Sequence, residues 1–358
     1  MEYEYWFANL KGLSNRRKTE IRATFSAAGE LYNIEEKIIK EHNIGEQEYK
    51  IILESIATWN LKTEYENAVK KEICCIPIWD ARYPKRLKNI SSAPYALYVK
   101  GQLPREDRMT VAIVGARECS AYGQVMAKEF GKALAEQGVQ IISGMARGVD
   151  SEGQLAALEA GGESFGVLGC GVDICYPKEK IDLYVKLQRQ GGIISELPPG
   201  TNPQKQYFPA RNRIISGLAD AVLVMEAKER SGSLITADMA LEQGKEVYAL
   251  PGPVNSRLSR GCNELIRQGA NVLLSPEELL KDFGFSQGKM KEKQGSEKIL
   301  LETQEDIVYS CLGFYPQNPE QLKDATGLPV AQLLNILLSL ELKGYVKEIT
   351  KNYYVKAE

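Results

Sequence analysis

Six loops in the middle of this 358-residue chain hold the residues with chemistry to offer. Gly115-Ala116-Arg117 follows the apolar run 110–114, and Ser143-Gly144-Met145-Ala146-Arg147-Gly148 follows the next. Gly169, Gly171 and Lys178 follow a third run, and Lys205, Arg211 and Arg213 a fourth. Arg230-Ser231-Gly232-Ser233 follows a fifth, and Pro251-Gly252 with Arg257 and Arg260 a sixth. Taken singly, such a glycine is a tight turn and such an arginine a solvated loop residue. Six together favour an anion-binding edge over coincidence. Ser231-Gly232-Ser233 also reads as a helix start, where N-cap hydroxyls and free N–H groups attract anions.

The type of anion is narrowed by what is missing. The segment after the first run, "GARECSAYG", lacks the dinucleotide fingerprint, and no Walker A loop occurs, so NAD and ATP are poor candidates. Arginines spread over consecutive loops suit a string of phosphates better than one pyrophosphate. Tyr207 and Phe208 lie beside Lys205 and the Arg211-Asn212-Arg213 run, where aromatic faces can stack on unpaired bases. The pattern points to single-stranded nucleic acid. By composition alone, core packing is an equally good reading of Phe208.

Hydrolytic and metal chemistry find little support. The only histidine is His42, so the central region has no imidazole for a Ser-His-Asp triad or a His-containing zinc site. Seven cysteines include no C-x-x-C pair and read as reduced structural thiols. The expectation is no catalytic residue, no metal and no cofactor. Net charge is -2, and residues 110–282 hold 18 Lys+Arg against 21 Asp+Glu. Any nucleic-acid site is therefore a local patch on a protein that is not basic as a whole.

The apolar runs themselves define the elements. Runs of four to six residues alternating with helical segments over 110–282 imply a doubly wound, parallel, Rossmann-like sheet, in which ligands meet the carboxyl ends of the strands. We read seven strands there, and one more, "YALYVKG", in the connector 76–109. Residues 1–75 read as a helical SAM-like or helix-hairpin-helix-like domain. Its turn Gly12-Leu13-Ser14 precedes Arg16, Arg17 and Lys18; a phosphate-binding turn and a solvated helix start both fit. The central domain spans 76–282, a polar linker 283–300, and a winged-helix domain 301–358. The expected recognition helix of that last domain carries only Lys343 as a base, and 301–358 hold five Lys against eight acids. Protein contact or plain structure suits it better than base reading. No apolar run spans a bilayer and no signal peptide is evident, so the expected location is cytoplasmic, without a membrane.

"VAIVGAR", "IISGMARGVD", "VLGCGVDICYP", "GGIISELPPG", "FPARNRIISGLAD", "VMEAKERSGSLITA" and "ALPGPVNSRLSRGCNELIRQGA" occur in order. With the upstream "WDARYPKRLKNISSAPYALYVKG", the set resembles the DNA-processing protein A (DprA/Smf) family over roughly residues 80 to 275. The resemblance implies a non-enzymatic protein that binds and protects incoming single-stranded DNA, loads RecA recombinase during natural transformation, and forms homodimers through its central domain. It also implies that Arg117 lies in the DNA pocket, that Lys205 holds phosphate and Phe208 contacts a base, and that Arg211, Asn212 and Arg213 form the family's RNR motif. Whether Arg211 and Arg213 hold phosphate or brace the pocket through neighbouring carboxylates is left open. The expected DNA-binding set is Gly115, Arg117, Ser143, Gly144, Arg147, Lys205, Phe208, Arg211, Asn212, Arg213, Ser231, Gly232 and Ser233. Gln154 stands where the family usually has histidine. Two other classes compete: a LOG-like nucleotide phosphoribohydrolase, which would need a glutamate where this chain has Thr236, and a winged-helix transcription regulator with a ligand-sensing core.

Overall fold

The computed structural model describes residues 1–34, 42–285, 303–312 and 316–356. Most of the expected linker, 286–300, lies outside them. The described residues divide into two compact units, 1–118 with 127–276 and 119–126 with 277–358. Among them, no single helix is long and apolar enough to cross a membrane.

The first unit is built on a nine-stranded sheet. Its strands are β1 (Cys74–Pro77), β2 (Ala96–Gly101), β3 (Thr110–Val114), β4 (Gln140–Ser143), β5 (Ser164–Val167), β6 (Gly191–Ser195), β7 (Ala221–Val224), β8 (Glu246–Ala249) and β9 (Asn271–Val272). Their order is β1-β2-β6-β5-β4-β3-β7-β8-β9. The seven strands from β3 onward are parallel. β2 pairs antiparallel with β6, and β1 antiparallel with β2. The sheet is therefore mostly parallel, and β1 is a strand that the apolar runs do not reveal. It straddles the expected domain boundary at 75/76.

Both faces of the sheet are covered, which is why the strands read as unbroken apolar runs. Ala112, Val114, Ile142, Phe165, Val167, Ile194, Val222 and Val224 share one cluster with Ile214, Ile215 and Leu218 of the helix Tyr207–Leu218. On the other face, Ile113 meets Gly153 of the helix Val149–Glu159; a Cβ there would stand 3.0 Å from Ile113 Cγ2. The chain winds from β3 out to β6, then returns to place β7 on the other side of β3. That reversal opens a crevice at the carboxyl ends of β3 and β7, the usual ligand position in such sheets.

The N-terminal helices do not form a separate unit. Trp6, Phe7, Ile21, Leu31 and Ile52 form a core continuous with Tyr95 and Tyr98 beside and within β2. The rings of Phe7 and Tyr95 meet edge-on at 5.3 Å, and those of Tyr5 and Tyr98 at 6.1 Å. The possible phosphate turn is engaged internally. Ser14 caps the helix Asn15–Ala23. Arg17 pairs with Glu48 at 2.6 Å and with Glu20. Lys18 is buried, donates from Nζ to the Ala8 carbonyl, and has its pKa lowered by burial to about 8. Of the three bases only Arg16 is well exposed, so the helix-start reading fits better.

In the second unit, the helices Thr303–Cys311, Pro319–Thr326 and Val330–Leu342 and the hairpin β10 (Val346–Thr350) and β11 (Tyr353–Lys356) form a winged helix. Its core holds Val308, Leu322, Leu333, Ile336, Leu337 and Leu340. Lys343, just past the third helix, pairs with Glu305 at 2.6 Å, which further weakens that helix as a phosphate reader.

Candidate nucleic-acid interface

A groove of about 640 Å³ lies at the switch point. Gly115, Arg117 and Glu118 reach it from the end of β3, Ala146 from the β4 loop and Asp150 from the first turn of the helix that follows, Lys205, Phe208, Arg211 and Asn212 from the β6 loop and its helix, and Lys228, Arg230, Ser231, Gly232 and Ser233 from beyond β7. Five cations (Arg117, Lys205, Arg211, Lys228, Arg230) face two carboxylates, Glu118 and Asp150. Nine of the thirteen expected residues meet here. Ser143, Gly144, Arg147 and Arg213 do not line it.

Backbone packing fixes the β3 end. Gly148 has φ +70°, and a Cβ there would collide with the carbonyls of Ala116 and Arg117. The β4 loop thus tucks beneath the β3 loop, and Val149 N–H donates to Ala116 O at 3.2 Å. This lock presents the exposed Arg117 outward. Its guanidinium lies 5.8 Å from the centre of the Phe208 ring. Phe208 is half-buried, close against Gly169, with the Tyr176 ring 5.4 Å away. It is neither plain core nor free surface: one side packs while the other edges the groove.

Across the groove, the helix Gly232–Glu242 starts at Ser231, whose hydroxyl caps Ser233 N–H. A Cβ on Gly232 would meet nothing within 4 Å, so this N-terminus faces open space. Asn212 anchors it by donating to Gly232 O at 3.2 Å. Helix N-termini carry partial positive charge and unpaired N–H groups, so this end complements the cations opposite.

The two arginines of the Arg-Asn-Arg run brace this wall in different ways. Arg211 is only 5% exposed. Its Nη1 donates to Gly144 O at 3.0 Å and to Val167 O. Burial lowers its pKa to about 10, still a cation at neutral pH, and raises that of Asp150 nearby. Asp150 in turn accepts from Gly144 N–H at 3.1 Å. Gly144 is glycine because of this guanidinium: a Cβ would stand 2.5 Å from Arg211 Nη2. Arg213 points away from the groove and pairs bidentately with Glu196 at 2.6 and 2.7 Å. Glu196 also accepts from Asn15 at 2.9 Å, tying the N-terminal helices to this wall.

The remaining expected residues have other partners. Ser143 is buried and donates to Ile113 O at 2.5 Å, joining β4 to β3. Arg147 is exposed and pairs with Glu179. Lys228 and Asp150 are groove residues outside the expected set, as is Arg230, although its loop is one of the six that end the apolar runs. Thr236, where the hydrolase reading needs glutamate, is buried in the wall.

Gln154 takes a structural post. Its Oε1 accepts from Met145 N–H at 3.2 Å, and its Nε2 donates to Phe165 O at 2.8 Å. Met145 holds φ 54°, so the side chain pins a left-handed residue behind the groove. Gln154→Leu leaves both backbone groups unpaired in the core and is expected to cost roughly 2–4 kcal/mol. Thermal unfolding checks this, with the midpoint falling by roughly 5–10 °C. Affinity for any groove ligand, measured well below that midpoint, should change little.

The fold and the groove define an α/β protein with a cationic, aromatic-edged crevice suited to a chain of phosphates. The family model for DNA recombination-mediator protein A matches residues 74–284, and that for the DprA winged helix domain residues 293–349. Protein Smf of Escherichia coli K12 is 38% identical over 285 residues, 78% of this chain and 76% of that protein. DNA processing protein DprA of Streptococcus pneumoniae R6 is 42% identical over 208 residues, 58% of this chain and 73% of that protein. The solved S. pneumoniae DprA structure matches with a TM-score of 0.67 at 34% identity, covering 79% of this chain and 98% of that one. A Helicobacter pylori DNA processing protein A, studied for its single-stranded DNA binding mode, matches with a TM-score of 0.54 at 28% identity, covering 59% and 95%. The chain belongs to the DNA recombination-mediator protein A (DprA/Smf) family.

Proposed function

We propose that the switch-point groove binds single-stranded DNA. The observation that carries this is the meeting of Arg117, Lys205, Lys228, Arg230 and the Ser231–Ser233 helix start around the open edge of Phe208. Cations and N–H groups take phosphates, and the ring takes a base face, which a duplex keeps stacked inside. The H. pylori relative, described for its single-stranded DNA binding mode, supports the reading.

On the same reading the protein serves DNA processing in natural transformation. It protects the incoming strand and passes it to RecA, as a cytoplasmic homodimer joined through the sheet domain. Its role is binding, not catalysis. Asp150 is turned to a backbone N–H, and Thr236 stands where the hydrolase reading needs a carboxylate.

Gel shifts with oligo-dT, duplex DNA and RNA of equal length test the reading. Oligo-dT should bind tightest, and binding should weaken as salt rises. Tighter, sequence-dependent duplex binding would favour the regulator reading instead. Release of free base from a nucleoside monophosphate would favour the hydrolase.

A further inference from the structure

We infer that the groove continues into a second phosphate site, built by Lys228, Arg230, Arg257 and Arg260, which holds the next stretch of the same strand. The inference rests on the single-stranded DNA reading above and extends it. A second cavity of about 270 Å³ is lined by these four cations and Glu229. Lys228 and Arg230 line both cavities. Together they make one cationic track from the β7 end to the β8 end.

The track is held by backbone, not by side-chain chance. Ala227 N–H donates to Leu258 O at 2.8 Å, and Gly261 N–H donates to Ala227 O at 2.8 Å. A Cβ on Gly261 would stand 2.7 Å from Ala227 O and 2.8 Å from Lys228 O. Glycine at 261 thus lets the two loops touch. Asn263 ties the far side, accepting from Gly252 N–H at 3.2 Å and donating to Gly252 O at 3.0 Å.

The charges make no sense as a stabilising device. Four like charges around one cavity repel, and Glu229 answers only Arg260, at 3.4 Å with both side chains more than half exposed. Among the described residues, Lys228, Arg230 and Arg257 are exposed and make no ion pair. A rigid scaffold that gathers unpaired cations beside a phosphate groove fits a polyanion longer than the groove.

Fluorescence anisotropy with two labelled oligo-dT probes, one of about four and one of about twenty nucleotides, tests the inference. In the variant Arg257→Ala/Arg260→Ala, the short probe should bind as in the parent. The long probe should bind about tenfold more weakly at moderate salt, with a log-log salt slope shallower by roughly 1.4, the change expected when two phosphates go unneutralised. Equal long-probe affinity and slope in variant and parent would overturn the second site, as would equal losses for both probes. Arg117→Ala/Lys205→Ala runs alongside: if it weakens the short probe while the Arg257/Arg260 variant changes nothing, only the second site fails. If it changes neither probe, the groove reading fails with it. Should the double variant fold poorly, Arg257→Glu serves, because Arg257 is exposed and makes no ion pair among the described residues. That variant should weaken the long probe alone, and an unchanged long-probe affinity would overturn the inference.

Discussion

Changing Arg117 and Lys205 together to alanine is expected to weaken oligo-dT binding about a hundredfold while leaving the melting temperature where it was. Both side chains are exposed on the groove, and surface substitutions of this kind move stability by roughly 0.5 kcal/mol or less. A hydrogen bond to a charged group contributes roughly 1.5–3 kcal/mol. Two such bonds to phosphate reach about 3 kcal/mol, or about a hundredfold. Arg117 also stands against the Phe208 ring, so its loss frees the ring that is proposed to meet a base. Anisotropy titrations at several salt concentrations, with circular dichroism for the fold, read this out. The slope of affinity against salt should become shallower by roughly 1.4. Parent-like affinity in the double variant would remove both residues from the site.

Arg211 should behave in the opposite way. Arg211→Ala is expected to cost roughly 3–5 kcal/mol of stability, because it strips a buried donor from Gly144 O and Val167 O and leaves Asp150 without its neighbouring cation. The thermal midpoint should fall by roughly 10 °C or more. Arg211→Lys should rescue little, since an ammonium cannot reproduce the planar fork. The loss should also depend on pH. The folded-state pKa of Asp150 is already raised, chiefly by burial, and removing the cation raises it further. A carboxyl that binds its proton more tightly when folded loses stability as pH climbs above its unfolded value of about 3.9. The deficit of the variant should therefore be smaller at pH 5 than at pH 8. A variant that melts like the parent yet fails to bind DNA would make Arg211 a contact instead of a brace.

The contrast between these arginines marks how far the sequence could be read. The parallel strands were legible because burial on both faces leaves unbroken apolar runs, and their carboxyl ends located the groove. β1 was not legible: it is a four-residue edge strand ending in Pro77, a residue that strands tolerate at edges. Inside the site, helical phase carried a signal that residue type hid. Arg211, Ile214, Ile215 and Leu218 fall at i, i+3, i+4 and i+7, one buried stripe. Gly144 has the look of a turn glycine, yet its smallness serves the Arg211 guanidinium. Arg147 and Arg213 look free in sequence because Glu179 and Glu196 come from other segments, which no local pattern predicts. Lys228 stands in the loop beyond β7, which ends at Val224, and the path of that loop, not residue type, brings it to the groove.

The central claim, that unpaired bases enter the groove beside Phe208, is tested most directly by photo-crosslinking. Oligo-dT carrying 5-iododeoxyuridine is irradiated on the full-length protein, and the adducts are located by mass spectrometry. Adducts are expected on Phe208 and Tyr176, whose rings stand 5.4 Å apart at the groove, and they should disappear in Arg117→Ala/Lys205→Ala. Adducts confined to the tyrosines of the winged helix, with none at Phe208 or Tyr176, would contradict it.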